Sequence, residues 1–136
     1  MNLQEVLIKL LKENYGNIFN EDTTGCSDYD KWWEAGGGYI KYMTPYEYYQ
    51  ISDDNGLWVG SAIDYYYEGN YKKNNFDVKV INKYIQQIKN NKLLKLPVIC
   101  LAPECMTQDG FHRVTACKEL GIEEIPVLII TETTDW

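Results

Sequence analysis

The sequence predicts a single small α/β (α+β) domain in which helices flank a mixed β-sheet. Its 136 residues fit one domain, and a chain of this length can bury a substantial core. Segments with apolar residues at helical spacing alternate with short runs of branched apolar residues, which are typical of buried strands. Because 45% of the residues are hydrophobic, including twelve tyrosines and four tryptophans, the composition excludes a disordered chain.

The overall charge and the cysteine pattern limit the classes of function. A formal net charge of -7 argues against extensive nucleic-acid binding, which depends on many lysines and arginines. The four cysteines form no CxxC pair and no zinc-like repeat, so reduced thiols are predicted. No apolar stretch is long enough to cross a bilayer. We therefore expect a cytoplasmic protein without membrane contacts.

The N-terminal region, residues 1–37, is predicted to be a helix followed by a polar loop. A signal peptide needs an uninterrupted apolar block, whereas MNLQEVLIKLLKENYG intersperses apolar residues among charges at helical spacing. The loop ends at Gly36–Gly38, which lacks the lysine and the hydroxyl residue of a P-loop and predicts a flexible joint or a close backbone crossing. The apolar helical positions are Leu3, Val6, Leu7, Leu10 and Leu11.

A short strand and a helix with a clear start come next. The run YIKYM favours a strand. Thr44, Pro45 and Glu47 match the N-cap, the first helical position and the return residue of a capping box. Further along, IDYYY has strand propensity, with a surface loop as the alternative.

The spacing of the apolar residues becomes regular from Phe76 onwards. Apolar residues at helical spacing predict a helix from Phe76 to Asn90 or Asn91, and LPVICLAP predicts a strand buried on both faces. The remaining predicted elements are a strand at 105–108, a turn at Asp109 and Gly110, a helix at 111–120 ended by Gly121, and a strand at IPVLII.

The stretch QDGFHRVTACKELG contains the only histidine, His112, next to the only arginine, Arg113. A glycine turn that opens a helix directs backbone amides and the positive end of the helix dipole towards a ligand, which makes an anion site. Arginine suits phosphate oxygens, and histidine can donate a hydrogen bond or transfer a proton. Asp109 is a candidate helix cap, metal ligand or partner of His112. A purely structural alternative pairs Arg113 with Glu119 or Glu123.

The segment DGFHRVTACKELGIEEIPVLII resembles the ParB/sulfiredoxin superfamily, in which a D/E-G-x-H-R or G-x-R-R element opens a helix and L-G and I-P-V follow. The preceding helix, VINKYIQQIKNNK, and the L-P-V-I strand extend the similarity. It covers about residues 77–130, and more loosely YIKYMTPYEYYQI. The resemblance implies a ParB/sulfiredoxin-like domain at 38–136, with residues 1–37 outside the match but within one compact unit.

The resemblance also implies a nucleotide-binding protein, with a nucleoside di- or triphosphate as ligand and a phosphoryl-transfer or nuclease-type reaction. The catalytic candidates are Asp109, His112 and Arg113, and Asp109 is also a candidate magnesium ligand. A further carboxylate, Glu34 or Glu47, is a candidate base. The implied phosphate contacts are Gly110, His112 and Arg113, and Gln108 is a further candidate phosphate contact.

Two departures from the superfamily pattern narrow the class of superfamily member that we expect. Sulfiredoxins have their essential cysteine immediately before His-Arg, where this chain has Phe111, and partitioning proteins have two successive arginines, where this chain has one. The expected type is therefore a stand-alone ParB-like domain of phage or mobile-element origin.

A non-catalytic, acidic, tyrosine-rich binding protein is the alternative function. An example would be a phage inhibitor of a host nucleic-acid-binding factor, in which negative charge imitates DNA. Tyrosine is favoured at interfaces, so Tyr46–Tyr49 and Tyr65–Tyr67 would form the surface for the protein partner. Otherwise these tyrosines pack the two halves of the domain together.

Overall fold

The computed structural model describes residues 2–6 and 17–133. Residues 3–6 are helical, whereas Leu7, Leu10 and Leu11 of the predicted N-terminal helix lie outside the described residues. None of the described helices is long and apolar enough to span a membrane. The helices are α1 (Ser27–Glu34), α2 (Pro45–Asn55), α3 (Asn75–Lys89) and α4 (Phe111–Glu119), with a π-helical turn at Ile63–Tyr67 and a 3-10 turn at Asn70–Lys73. The strands are β1 (Phe19–Asn20), β2 (Gly38–Met43), β3 (Leu94–Lys95), β4 (Val98–Cys100), β5 (Thr107–Asp109) and β6 (Ile125–Ile130).

Four strands form the central sheet, in the order β2-β6-β4-β5. β6 pairs antiparallel with β2 and parallel with β4, and β4 pairs antiparallel with β5. The predicted α/β class with a mixed sheet is therefore confirmed. The strand predicted at 105–108 begins later, at Thr107, because the amide of Cys105 donates to the carbonyl of Ala102 and closes a turn there.

The helices begin and end at local signals. The hydroxyl of Thr44 accepts a hydrogen bond from the amide of Glu47, which confirms the predicted start of α2. The side chain of Asn74 accepts from the amide of Asp77 and caps α3. Helices α2 and α3 both pack against α4, whereas α1 packs against β2 and β6. Two neighbouring helices therefore fix the position of α4.

Three of the six tyrosines in the clusters predicted as a contact surface are buried. Tyr48 and Tyr49 are fully buried, and Tyr66 is 4% exposed. The run IDYYY, predicted as a strand or a surface loop, is a π-helical turn in which Tyr66 stacks between Tyr49 and Phe111. Stacking in the core overrides the strand propensity of this run. Only Tyr46 and Tyr67 of the two clusters are clearly exposed, and they contact each other edge to face.

The N-terminal region packs into the same core as the rest of the described chain. Phe19 and Tyr29 belong to the buried cluster that also contains β4 and β6. A Cβ atom on Gly37 would lie 2.2 Å from the carbonyl oxygen of Glu132. The amide of Thr131 donates to the carbonyl of Gly37. The predicted close backbone crossing is therefore confirmed.

Candidate functional site

A cleft opens where β5 meets α4, and Gly110 determines its geometry. The backbone of Gly110 has φ 114° and ψ 16°, a conformation that favours glycine. A Cβ atom here would lie 2.9 Å from Cβ of Pro97 and 3.2 Å from Nη2 of Arg113. The Tyr48 hydroxyl donates to the carbonyl of Asp109 at 2.6 Å and holds the turn. No side chain caps α4, so the amides of its first turn are available to a ligand.

Phe111 anchors the start of α4 in the aromatic core. Its ring stacks on Tyr66, with centroids 5.3 Å apart, and contacts Tyr48 edge to face at 5.5 Å. Only 9% of Phe111 is exposed. Because this residue is held in the core, His112 and Arg113 project from a well-fixed turn.

Arg113 is a buried cation with few protein partners. It is 7% exposed, and its Nη2 lies 3.4 Å from Oδ2 of Asp109, whose side chain is 58% exposed. This long contact is its only hydrogen bond within the described residues, so most of its five N–H donors have no protein acceptor there. A buried cation in the first turn of a helix also opposes the helix dipole. Because Arg113 lines the cleft, its remaining donors are available to an anion there.

A carboxylate of α3 holds His112. Nε2 of His112 lies 2.8 Å from Oδ1 of Asp77, and the other Asp77 oxygen accepts from the Tyr65 hydroxyl. Burial alone would raise the pKa of Asp77, but the hydrogen bonds from Tyr65 and His112 and the charge of His112 lower it overall. Because an ionised carboxylate only accepts, Nε2 carries the proton. Nδ1 of His112 is then the nitrogen left for a ligand.

The opposite wall of the cleft is the loop of residues 23–26, which Asp30 of α1 fixes. Oδ1 of Asp30 accepts from the amide and the hydroxyl of Thr24, both at 2.8 Å, and Oδ2 accepts from the hydroxyl of Thr23 at 2.9 Å. Burial alone would raise the pKa of Asp30, but these hydrogen bonds and the charge of Lys95 lower it. The loop is therefore tied to α1, and the carbonyl of Thr23 also accepts from the amide of Leu96, the residue after β3.

The cleft between these walls has a volume of about 370 Å³. Lys95 and Arg113 are its cationic lining residues, His112 is an ionisable one, and Asp109 is its one acidic residue within the described chain. The lining side chains therefore have a positive net charge, whereas the whole protein has a net charge of -7. The cleft therefore suits a small anion. Its other lining residues are Thr24, Gly25, Cys26, Tyr84, Gly110 and Phe111.

No family model matches the chain, and no curated protein or solved structure matches it either. We therefore infer the chemistry of the cleft from its own side chains. A buried guanidinium and uncapped helix amides can bind an oxyanion, and a histidine–aspartate pair can move a proton beside it.

Gln108 and Asp109, the two residues before Gly110, make contacts that differ from the predicted ones. Gln108 does not line the cleft, because alternate strand residues point to opposite faces and its Nε2 donates to the carbonyl of Tyr48 at 2.8 Å. The structure therefore does not bring Gln108 together with Gly110, His112 and Arg113 at the cleft. Asp109 does line the cleft, yet it neither caps α4 nor orients His112, because its carboxylate faces Arg113.

Among the described residues that line the cleft, Asp109 is the one carboxylate that could hold a magnesium ion. Within residues 2–6 and 17–133, no group of three or more histidine, cysteine, aspartate or glutamate side chains could hold a metal. Asp109 is a single, largely exposed carboxylate that already contacts Arg113. The protein residues described here therefore provide no metal cage.

Asp77, rather than Glu34 or Glu47, is the carboxylate that meets His112. Glu34 is exposed at the end of α1, and Glu47 lies at the start of α2, where its carboxylate contacts the Thr44 hydroxyl. Neither of the two glutamates lines the cleft. The alternative pairing of Arg113 with a downstream glutamate is also absent, because the described hydrogen bond of Arg113 goes to Asp109.

Proposed function

We propose that the cleft binds the phosphate groups of a nucleotide, with Arg113 as the principal ligand. The burial of this guanidinium at 7% exposure, beside an uncapped helix N-terminus, carries the proposal. The planar guanidinium can donate two parallel hydrogen bonds to phosphate oxygens. An anion in the cleft would neutralise Arg113 and the positive end of the α4 dipole together.

A nucleoside di- or triphosphate is the proposed ligand class. The resemblance of residues 77–130 to the ParB/sulfiredoxin superfamily supports it, and membership of that superfamily is part of the proposal. The volume of about 370 Å³ lies in the range of roughly 300–1,000 Å³ that small-molecule sites occupy. Lys95 stands on the wall of the 23–26 loop, across from the start of α4, where it would meet a further phosphate or a sugar hydroxyl.

The His112–Asp77 pair supports a reaction at the bound phosphate, either phosphoryl transfer or phosphodiester cleavage. Asp77 keeps the proton on Nε2, so Nδ1 can accept a proton from an attacking hydroxyl or water. Arg113 and the amides of α4 would stabilise the charge that develops on the phosphate oxygens.

Calorimetric titration with ADP, ATP and CTP tests the binding proposal. We expect Arg113→Lys to weaken binding by roughly tenfold or more, because lysine keeps the charge but loses the two-pronged contact. Lys83→Gln is the matched control, since it removes an exposed cation of α3 outside the cleft. A nucleotide at a hundredfold excess over Kd should also add about 2.7 kcal/mol to the free energy of unfolding. The proposal fails if the wild type binds none of the three nucleotides, or if both variants bind alike.

The reaction is tested separately with Asp77→Asn and His112→Gln. Both variants should bind nucleotide within about threefold of the wild type and lose about a hundredfold in turnover, because proton transfer contributes about that much. Equal turnover in the wild type and both variants would contradict the proposed role of the pair.

A further inference from the structure

β2 is an edge of the central sheet within the described residues, since it pairs only with β6. The direction of its backbone groups follows from neighbouring hydrogen bonds. The amide of Leu128 donates to Pro97 and the carbonyl of Ile130 accepts from Leu101, so these two residues of β6 point towards β4. Ile40 and Gly38 are their partners in β2. The backbone N–H and C=O groups of these two partners therefore point away from β6.

The outward row consists of Gly38, Ile40 and Tyr42, with an N–H and a C=O on each residue. Proteins commonly protect such edges with proline, charged residues or bulges, because an open edge accepts another strand. β2 has no proline, and its one charged residue is Lys41. Its two tyrosines, Tyr39 and Tyr42, are each 53% exposed. The edge therefore has few features that would exclude another strand.

The sequence of β2 complements itself when two copies lie antiparallel around Ile40. In this register, Ile40 faces Ile40 of the second copy, and Gly38 faces Tyr42, so an aromatic ring covers each glycine. Tyr39 faces Lys41, which places a cation beside an aromatic ring. All three outward residues of each copy then exchange backbone hydrogen bonds in pairs.

We propose that β2 of one molecule pairs antiparallel with β2 of a second copy, about a two-fold axis at Ile40. The two central sheets then join into one continuous sheet. A register centred on Lys41 is less favourable, because it sets the two lysines directly opposite each other and satisfies fewer outward groups. The contact is small compared with stable interfaces of roughly 1,200 Å² or more, so the dimer is weak and reversible.

Disulfide trapping tests the register. Residues of a hydrogen-bonded antiparallel pair have Cα atoms about 5.5 Å apart, which suits a disulfide, so Ile40→Cys should give a covalent dimer under mild oxidation. Lys41→Cys is the matched control, because in this register the two Lys41 positions are diagonal neighbours at roughly 7–8 Å. The wild type, with Cys26 and Cys105 half-buried, gives the background. Trapping of Lys41→Cys, or of neither variant, would overturn the proposal.

Sedimentation at roughly 100 µM protein, a concentration suited to a weak interface, tests the dimer without cross-linking. Tyr39→Lys faces Lys41 of the second copy with a like charge, so it should raise the dissociation constant about tenfold. Tyr46→Lys makes the same chemical change on α2, away from β2, and should leave the dimer intact. A monomeric wild type, or equal dimerisation of both variants, would overturn the proposal.

Discussion

Gly110→Ala is expected to damage both the stability of the protein and the candidate site. With φ at 114°, an alanine at this position takes a strained backbone that costs about 1–3 kcal/mol. The added methyl group would lie 2.9 Å from Cβ and 3.0 Å from Cα of Pro97, and the second of these atoms belongs to the backbone and cannot turn away. Overpacking of this kind adds about 1–3 kcal/mol. The two costs together give an expected loss of about 2–6 kcal/mol.

Gly121→Ala provides a matched control at the other end of the same helix. Gly121 also has a positive φ, 74°, but a Cβ atom there would meet nothing within 4 Å. Its expected loss is therefore the left-handed backbone cost of about 1–2 kcal/mol. Both variants restrict the unfolded chain equally, so that effect cancels in the comparison.

Urea unfolding of the wild type and the two variants measures this difference. Gly110→Ala should unfold at a clearly lower urea concentration than Gly121→Ala, with unchanged slopes. It should also weaken nucleotide binding, because the new methyl group would lie 3.2 Å from Nη2 of Arg113 and displace the guanidinium. Equal stability of the two variants would refute the close approach of Gly110 to Pro97.

Three further outcomes are expected from the buried polar groups. Tyr49→Phe should cost only about 1 kcal/mol in denaturant unfolding, because the Thr115 hydroxyl that it contacts keeps its bond to a backbone carbonyl. The lowered pKa of Asp30 means that its stabilising effect is present above about pH 4 and lost as pH falls further, so Asp30→Asn should flatten the acid limb of stability against pH. Burial raises the pKa of Tyr48 and Tyr49, so the share of the tyrosinate absorbance that Tyr48→Phe and Tyr49→Phe remove should appear together with unfolding rather than before it.

Elements with local signals could be predicted from the sequence. The Thr44–Pro45–Glu47 cap and the helical spacing after Phe76 depend on neighbouring residues, and both helices lie where these signals indicate. The run IDYYY was mispredicted because its conformation depends on the stacking of Tyr66 in the core. Local propensity contains no information about such stacking.

The candidate site was predictable on one wall only. Gly110, His112 and Arg113 are adjacent in the chain, so their meeting at a helix start follows from the local pattern. Asp77 had only the signal of an ordinary first-turn acidic residue, and its contact with His112 requires the packing of α3 on α4. The 23–26 loop reaches the cleft through tertiary contacts of the N-terminal region, and its repeated threonines gave only a local turn signal.

Backbone amide chemical-shift mapping with ADP tests the central claim most directly. The claim is that a nucleotide's phosphates bind at the start of α4, against Arg113. We expect the largest shifts at the amides of Phe111, His112 and Arg113, with smaller shifts in the 23–26 loop, and we expect Arg113→Lys to reduce them at the same ADP concentration. Shifts confined to other surfaces, or no shifts at saturating ADP, would contradict the account.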